Sequence, residues 1–218
     1  KYSNVLPYFK KSESVSGLDN KFRNESGPLK LSRSSNGNKL SKVYLNAAEE
    51  AGYEINSDMN GFKQEGFGLM DTTIFEGKRQ STSVTYLNPA KKRSNLTIIT
   101  NCFVKNIIIE NNHAKGIECV IRNKNYEFAA TEETIVSAGA INSPQLLMLS
   151  GIGPEKELRS LDIKVHHNLN GVGKNLQDHL ETYLQYECKK PVTLYSSYNP
   201  IKMALIGIEW FLFKTGTA

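Results

Sequence analysis

The residues with the clearest capacity for chemistry fall in one stretch of the chain. Residues 139–153 read Gly-Ala-Ile-Asn-Ser-Pro-Gln-Leu-Leu-Met-Leu-Ser-Gly-Ile-Gly. A second cluster, Gly171-Val172-Gly173-Lys174-Asn175-Leu176-Gln177-Asp178-His179, follows. The first comes directly after Glu133-Thr134-Ile135-Val136-Ser137-Ala138, whose composition predicts a buried strand. A strand, a turn of small residues and a helix together bring backbone N–H groups and a helix N-terminus up to a phosphate. Taken alone, the Gly-Ala-Ile-Asn-Ser-Pro run fits a tight strand-to-helix turn equally well, with Ser143 as cap and Pro144 in the first helical turn. The later glycine clusters shift the balance towards binding.

The elements that must hold these residues can be read from periodicity. Residues 5–13 carry apolar positions at helical spacing, and 14–38 form a polar, loop-like stretch with a turn at Gly27-Pro28. Residues 40–52 predict a helix with a glycine stop at Gly52. Residues 61–73, rich in glycine and aromatics, predict irregular structure or a short strand, and 79–93 a helix interrupted near Asn88-Pro89. From Asn95 the character changes. Four β-prone runs (96–100, 103–110, 115–122 and 126–130) are separated by turn residues at Asn111-Asn112 and Asn123-Lys124-Asn125. After the strand ending at Ala138 come helices at about 143–149 and 154–161, a strand candidate at 178–188 and a last helix at 201–213. A β-meander that feeds a strand–turn–helix gives an α/β or mixed α+β fold.

Composition sets bounds. The 218 residues bury a real core, and 39% hydrophobic against 22% charged content is that of a globular chain. The net charge of +5 is scattered, in short clusters such as Lys91-Lys92-Arg93, without the basic stripe and interleaved aromatics of a nucleic-acid binder. No run reaches the ~18 apolar residues of a membrane span. Cys102, Cys119 and Cys188 show no metal spacing, and their odd number predicts buried thiols in a reducing compartment. His113, His166 and His167 have no partners at catalytic or metal spacing and are read as surface structure. The triplets at Asn24 and Asn95 fit the glycosylation pattern, which chance also supplies in an Asn-rich chain. The start at Lys1 and the end just after an apolar helix make a fragment of a longer protein the expectation.

These motifs together resemble the glucose–methanol–choline (GMC) family of FAD-dependent oxidoreductases. The run from Gly139 to Gly153 matches the family's second signature, and the segment from Gly171 to His179 matches its Gly-Val-Gly-x-Asn-Leu-x-Asp-His. Val5-Leu6-Pro7-Tyr8-Phe9 and Asn95-Leu96-Thr97 also resemble family segments. Gln64-Glu65-Gly66-Phe67-Gly68 and residues 178–188 are similar to choline-oxidising members. The resemblance implies a GMC-type FAD-binding fold fragment: 1–93 as substrate-domain and connecting segment, 94–182 as part of the FAD-binding domain, and 183–218 as the start of a second substrate-domain segment. It implies oxidation of a small alcohol, choline, to its aldehyde with possible further oxidation, at the periphery of an energy-transducing membrane, with the electron acceptor left open.

The same resemblance implies roles for individual residues. Val104 would offer its backbone to the adenine of FAD. Ala138, Gly139, Ala140, Ser143 and Pro144 would lie close to the cofactor, and Asn175, Asp178 and His179 near its junction with the substrate region. Glu181 would face a trimethylammonium group, which cannot donate a hydrogen bond and is held by a carboxylate's charge and by aromatic faces. Tyr183 and Tyr186 are close in sequence; the plainer reading of Glu181 is an exposed strand residue. The family's GxGxxG turn is not found in the chain, and its catalytic His would lie beyond Ala218. The chain alone is therefore expected to be inactive. A neutral-alcohol member of the family and a non-catalytic truncated product are the rival readings.

Overall fold

The computed structural model describes residues 1–33 and 39–216, so the last part of the polar stretch read as loop, 34–38, and the final two residues lie outside the described residues. The chain divides into two compact units, residues 1–96 with 185–218, and residues 97–184.

The first unit is built from helices and very short strand pairs. Helix α1 (Tyr2–Ser12) carries Lys10 and Lys11 in its last turn, where positive charge is favourable. β1 (Glu13–Ser14) pairs in parallel with β2 (Leu29–Lys30), and β3 (Ser32–Arg33) precedes α2 (Lys39–Glu50). Gly52 follows α2 with φ +83°, as its glycine stop predicts. β4 (Asp71–Thr72) pairs antiparallel with β3, and β5 (Ile74–Phe75) with β6 (Lys78–Arg79). The predicted break at Asn88-Pro89 is a change of helical pitch instead: a π-turn, Ser83–Leu87, runs directly into α3 (Asn88–Ala90). Pro89 sits in the first turn of α3, where its missing N–H costs no bond.

What ties these pieces together is a buried ion cluster that has no periodic sequence signature. Arg23 is only 3% exposed. Its Nε lies 3.0 Å from Glu13, its Nη1 2.5 Å from Asp58 and its Nη2 2.9 Å from Asp71. Burial opposes the charge on Arg23. Hydrogen bonds to Glu13 and Asp71, with the charges of Glu13 and Asp58, more than offset it and hold the guanidinium above its usual range.

The second unit centres on a three-stranded antiparallel meander of β7 (Cys102–Glu110), β8 (His113–Ile121) and β9 (Lys124–Ala129). Asn111 and Asn112 both have positive φ, the two-residue hairpin geometry that matches strand twist. The second turn is Arg122-Asn123, one residue earlier than the sequence suggests, because the register pairs Ile121 with Lys124. The run at 96–100 forms no strand. Nor does 133–138, predicted as a buried strand: it is extended without a ladder partner, and Ile135 is 76% exposed. β-propensity yields a strand only where a partner accepts its hydrogen bonds, and none of the described residues does so here.

α4 (Gly139–Leu149) starts four residues before the predicted helix. β10 (Ile152–Gly153), α5 (Glu155–Ser160) and β11 (His167–Asn168) follow, with β10 and β11 paired in parallel. Ile107, Cys119, Leu158 and Val172 are the buried apolar residues of this unit. Ser150, at the end of α4, links helix to sheet: its Oγ accepts the Ile107 N–H at 2.7 Å and donates to the Leu146 carbonyl at 2.6 Å. Ser150→Ala strands a buried N–H on β7 and is expected to cost about 1–3 kcal/mol, read as a lower urea midpoint. An unchanged midpoint would mean that water replaces the hydroxyl.

The chain then returns to the first unit through a 3-10 turn, Leu194–Tyr198, and α6 (Pro200–Phe213). The Asn199 side chain accepts from the Ile201 and Lys202 N–H groups, and Pro200 occupies the first helical position. Trp210 Nε1 donates to the Gly77 carbonyl at 2.7 Å, which ties α6 to the β5–β6 hairpin. Residues 178–188, a strand candidate by sequence, form no ladder and are exposed. Cys119 is buried, Cys102 half-buried and Cys188 exposed, so the expectation of buried thiols fails at Cys188.

Candidate functional site

α4 carries the site. Its first-turn N–H groups have no intrahelical acceptor, and its N-cap residue, Ala138, offers no side-chain cap. Ser143 does not cap the helix. It sits inside it, and its Oγ accepts the N–H of Ala138 at 3.1 Å, fixing the entry of the chain. Pro144 is likewise inside the helix, not in its first turn, and removes the bond that would return to the Ala140 carbonyl. Gly139 has φ +89°, and a Cβ added there would meet nothing within 4 Å. The helix therefore begins at an open, side-chain-free approach to its positive end.

The signature's later glycines do different work. Gly151 has φ +78°, and an added Cβ would stand 2.2 Å from the Lys164 carbonyl oxygen. Its own carbonyl accepts the His166 and His167 N–H groups at 2.8 and 3.1 Å. The carbonyl of Gly153 accepts the N–H of Leu169 at 2.9 Å, so this half of the motif is packing. At Gly151 and Gly153 the structural reading of the glycines holds, whereas the backbone at Gly139 is left uncovered.

Beside α4 lies a cleft of about 700 Å³. Its walls include Ala140, Ser143 and Pro144 on the helix, Ile163 after α5, and Val172 and Leu176 from the second glycine cluster. The two motifs thus meet at one apolar cleft, as ligand sites commonly do. Lys174 closes one side and pairs with Glu157 at 2.6 Å. Ile163 escaped the sequence reading because it lies in irregular chain without a motif. Thr134 was passed over too. Its Oγ1 is buried without a hydrogen-bond partner, four residues before Ala138.

The other residues singled out by sequence do not line this cleft. Val104 lies half-buried on β7 opposite Cys119, beside a bulge at Lys105 that breaks the ladder between Val104 and Asn106. Such bulges free backbone groups and recur next to binding sites. Lys105 and Asn106 both bond Glu118, at 2.5 and 3.0 Å, and these two hydrogen bonds hold its carboxyl below the usual range. Asn175 takes the left-handed conformation, φ +55°. Asp178 and His179 are exposed, with the His179 N–H bonded to Asp178 Oδ1 at 2.8 Å. Glu181 is exposed as well and accepts the Tyr183 hydroxyl at 2.5 Å. That bond to Glu181 pushes the Tyr183 phenol above the ordinary tyrosine range. Among the described residues no three His, Cys, Asp or Glu side chains gather as metal ligands would.

A family model described as GMC oxidoreductase matches residues 1–181. The mitochondrial choline dehydrogenase of Homo sapiens is 46% identical over 215 residues, which is 99% of this chain and 36% of that protein. The oxygen-dependent choline dehydrogenase of Brucella anthropi is also 46% identical over 215 residues, 99% of this chain and 39% of that protein. The chain thus spans little more than a third of the length of these relatives. Among solved structures, an FAD-dependent oxidoreductase from Chaetomium thermophilum matches 99% of this chain and 40% of its own, with a TM-score of 0.84 and 26% identity. Pyridoxine 4-oxidase from Mesorbium loti matches 82% of this chain and 35% of its own, at 0.74 and 28%.

Proposed function

The chain belongs to the GMC oxidoreductase family, and from that membership we propose that it forms part of the cofactor- and substrate-binding body of an FAD-dependent enzyme that oxidises choline. The observation that carries this reading is the 46% identity sustained over 215 residues with choline dehydrogenases from a mammal and a bacterium.

The residues present fit an FAD. The open approach at Gly139, the uncapped first turn of α4 and the unpartnered Thr134 hydroxyl offer polar groups where side chains are absent. Ala138, Gly139, Ala140, Ser143 and Pro144 would run along the cofactor, with Asn175, Asp178 and His179 further on. The bulge beside Val104 would free its backbone for the adenine. Held by these residues, a flavin would supply the redox chemistry that alcohol oxidation needs. Glu181 would neutralise the substrate's cation and fix the distance between cation and hydroxyl. We assign no proton-transfer step to any side chain of this chain.

The test is choline-dependent dye reduction by the native flavin-loaded protein that carries this chain, against 3,3-dimethyl-1-butanol, in which carbon replaces the nitrogen. Charge recognition of a desolvated cation predicts a kcat/KM for choline roughly thirtyfold higher. Equal values would favour the neutral-alcohol reading, and no turnover of either would end the proposal.

A further inference from the structure

The structure carries one inference beyond this reading, and it rests on Glu181 being the cation-binding carboxylate. Glu181 lies in an exposed stretch of irregular chain that forms no strand. Two residues on is Tyr183, whose hydroxyl donates to Glu181 Oε2 at 2.5 Å. Both side chains are otherwise open, Tyr183 being 85% exposed, and among the described residues no lysine, arginine or histidine is bonded to either. The carboxylate is thus held by a neutral donor and not by a cation.

We propose that Tyr183 is the positioning and specificity-determining residue of the site: its hydroxyl aims the Glu181 carboxylate, and its ring supplies an aromatic face for a quaternary ammonium. The chemistry of the pair explains why each part is suited to that ligand. A carboxylate paired with lysine or arginine has its charge neutralised already, and a trimethylammonium group would have to displace the partner. Hydrogen bonding to a neutral phenol leaves the full negative charge in place and occupies one oxygen, so the other faces outward. A quaternary ammonium needs no acceptor geometry, only negative potential and polarisable contact, and a carboxylate beside a π-face provides both. A neutral alcohol gains from neither.

The experiment is Tyr183→Phe in the native flavin-loaded protein, with choline and 3,3-dimethyl-1-butanol compared. Removing one hydrogen bond to a charged group predicts that the choline-to-isostere ratio of kcat/KM falls about tenfold. The loss should appear in KM for choline more than in kcat. Tyr183→Leu, which also removes the ring, should lower the ratio further. A ratio unchanged in Tyr183→Phe would overturn the proposal, as would an equal loss for both alcohols, which would mark Tyr183 as merely structural. The wild-type ratio separates the two levels: if it is near one, the choline reading itself has failed; if it is high and indifferent to Tyr183, only this inference has.

Discussion

Replacing Arg23 by methionine is expected to destabilise the first unit by about 3–5 kcal/mol, a large share of the ~5–15 kcal/mol that holds a domain folded. The guanidinium is buried and meets Glu13, Asp58 and Asp71 at once. Methionine keeps an unbranched apolar stem but leaves three carboxylates facing one another. Among the described residues, Arg33, 3.5 Å from Asp71, is the one other cation paired with this cluster. Lysine should recover part of the loss, since it keeps the charge yet cannot direct three separate donors along a planar fork. Urea unfolding of the wild type and both variants tests this. A methionine variant within 1 kcal/mol of wild type would show that water reaches the cluster and that it behaves as an ordinary surface network.

Gly151→Ala is the second large effect, and its contrast with Gly139→Ala separates packing from binding inside one motif. At Gly151 an added methyl carbon stands 2.2 Å from the Lys164 carbonyl oxygen and 2.8 Å from the His166 ring, at φ +78°. The backbone cannot simply retreat, because the Gly151 carbonyl holds the His166 and His167 N–H groups. Left-handed strain and overpacking together predict a loss of about 3 kcal/mol. Gly139 is also left-handed, but its new methyl would meet open space, so about 1 kcal/mol is expected. If the cofactor approaches there, Gly139→Ala should instead lower the flavin bound per protein, read from flavin absorbance against the thermal midpoint. Two variants with equal stability losses and unchanged flavin content would show that the whole motif serves packing alone.

What the sequence made legible follows from what is local. α2 with its glycine stop, α6 with Pro200 at its start and the meander with its asparagine turn all depend on neighbours close in sequence. The motif residues could be found for the same reason, and Ala140, Ser143, Pro144 and the second glycine cluster do meet at one cleft. The failures are the non-local features. Residues 96–100, 133–138 and 178–188 have strand-forming side chains, yet a strand exists only with a partner to bond. Ser143 looked like a cap because a serine before a proline usually starts a helix, while here the glycine four residues earlier already has. The Arg23 cluster bonds that residue to a partner 48 positions away through irregular chain, where no periodicity points one residue at another.

The hydrogen bond from Trp210 to Gly77 spans 133 positions of sequence, and that distance is also a time. On a translating ribosome at ~5–20 residues per second, the 74–79 hairpin waits roughly ten seconds before its closing helix has been made. Within that wait the whole of residues 97–184 emerges, and the meander, whose contacts are short-range, can fold while the first unit is still open. The nascent chain therefore finishes its inserted unit before its enclosing one. During that interval it is the uncovered hairpin, not the meander, that a chaperone would have to protect.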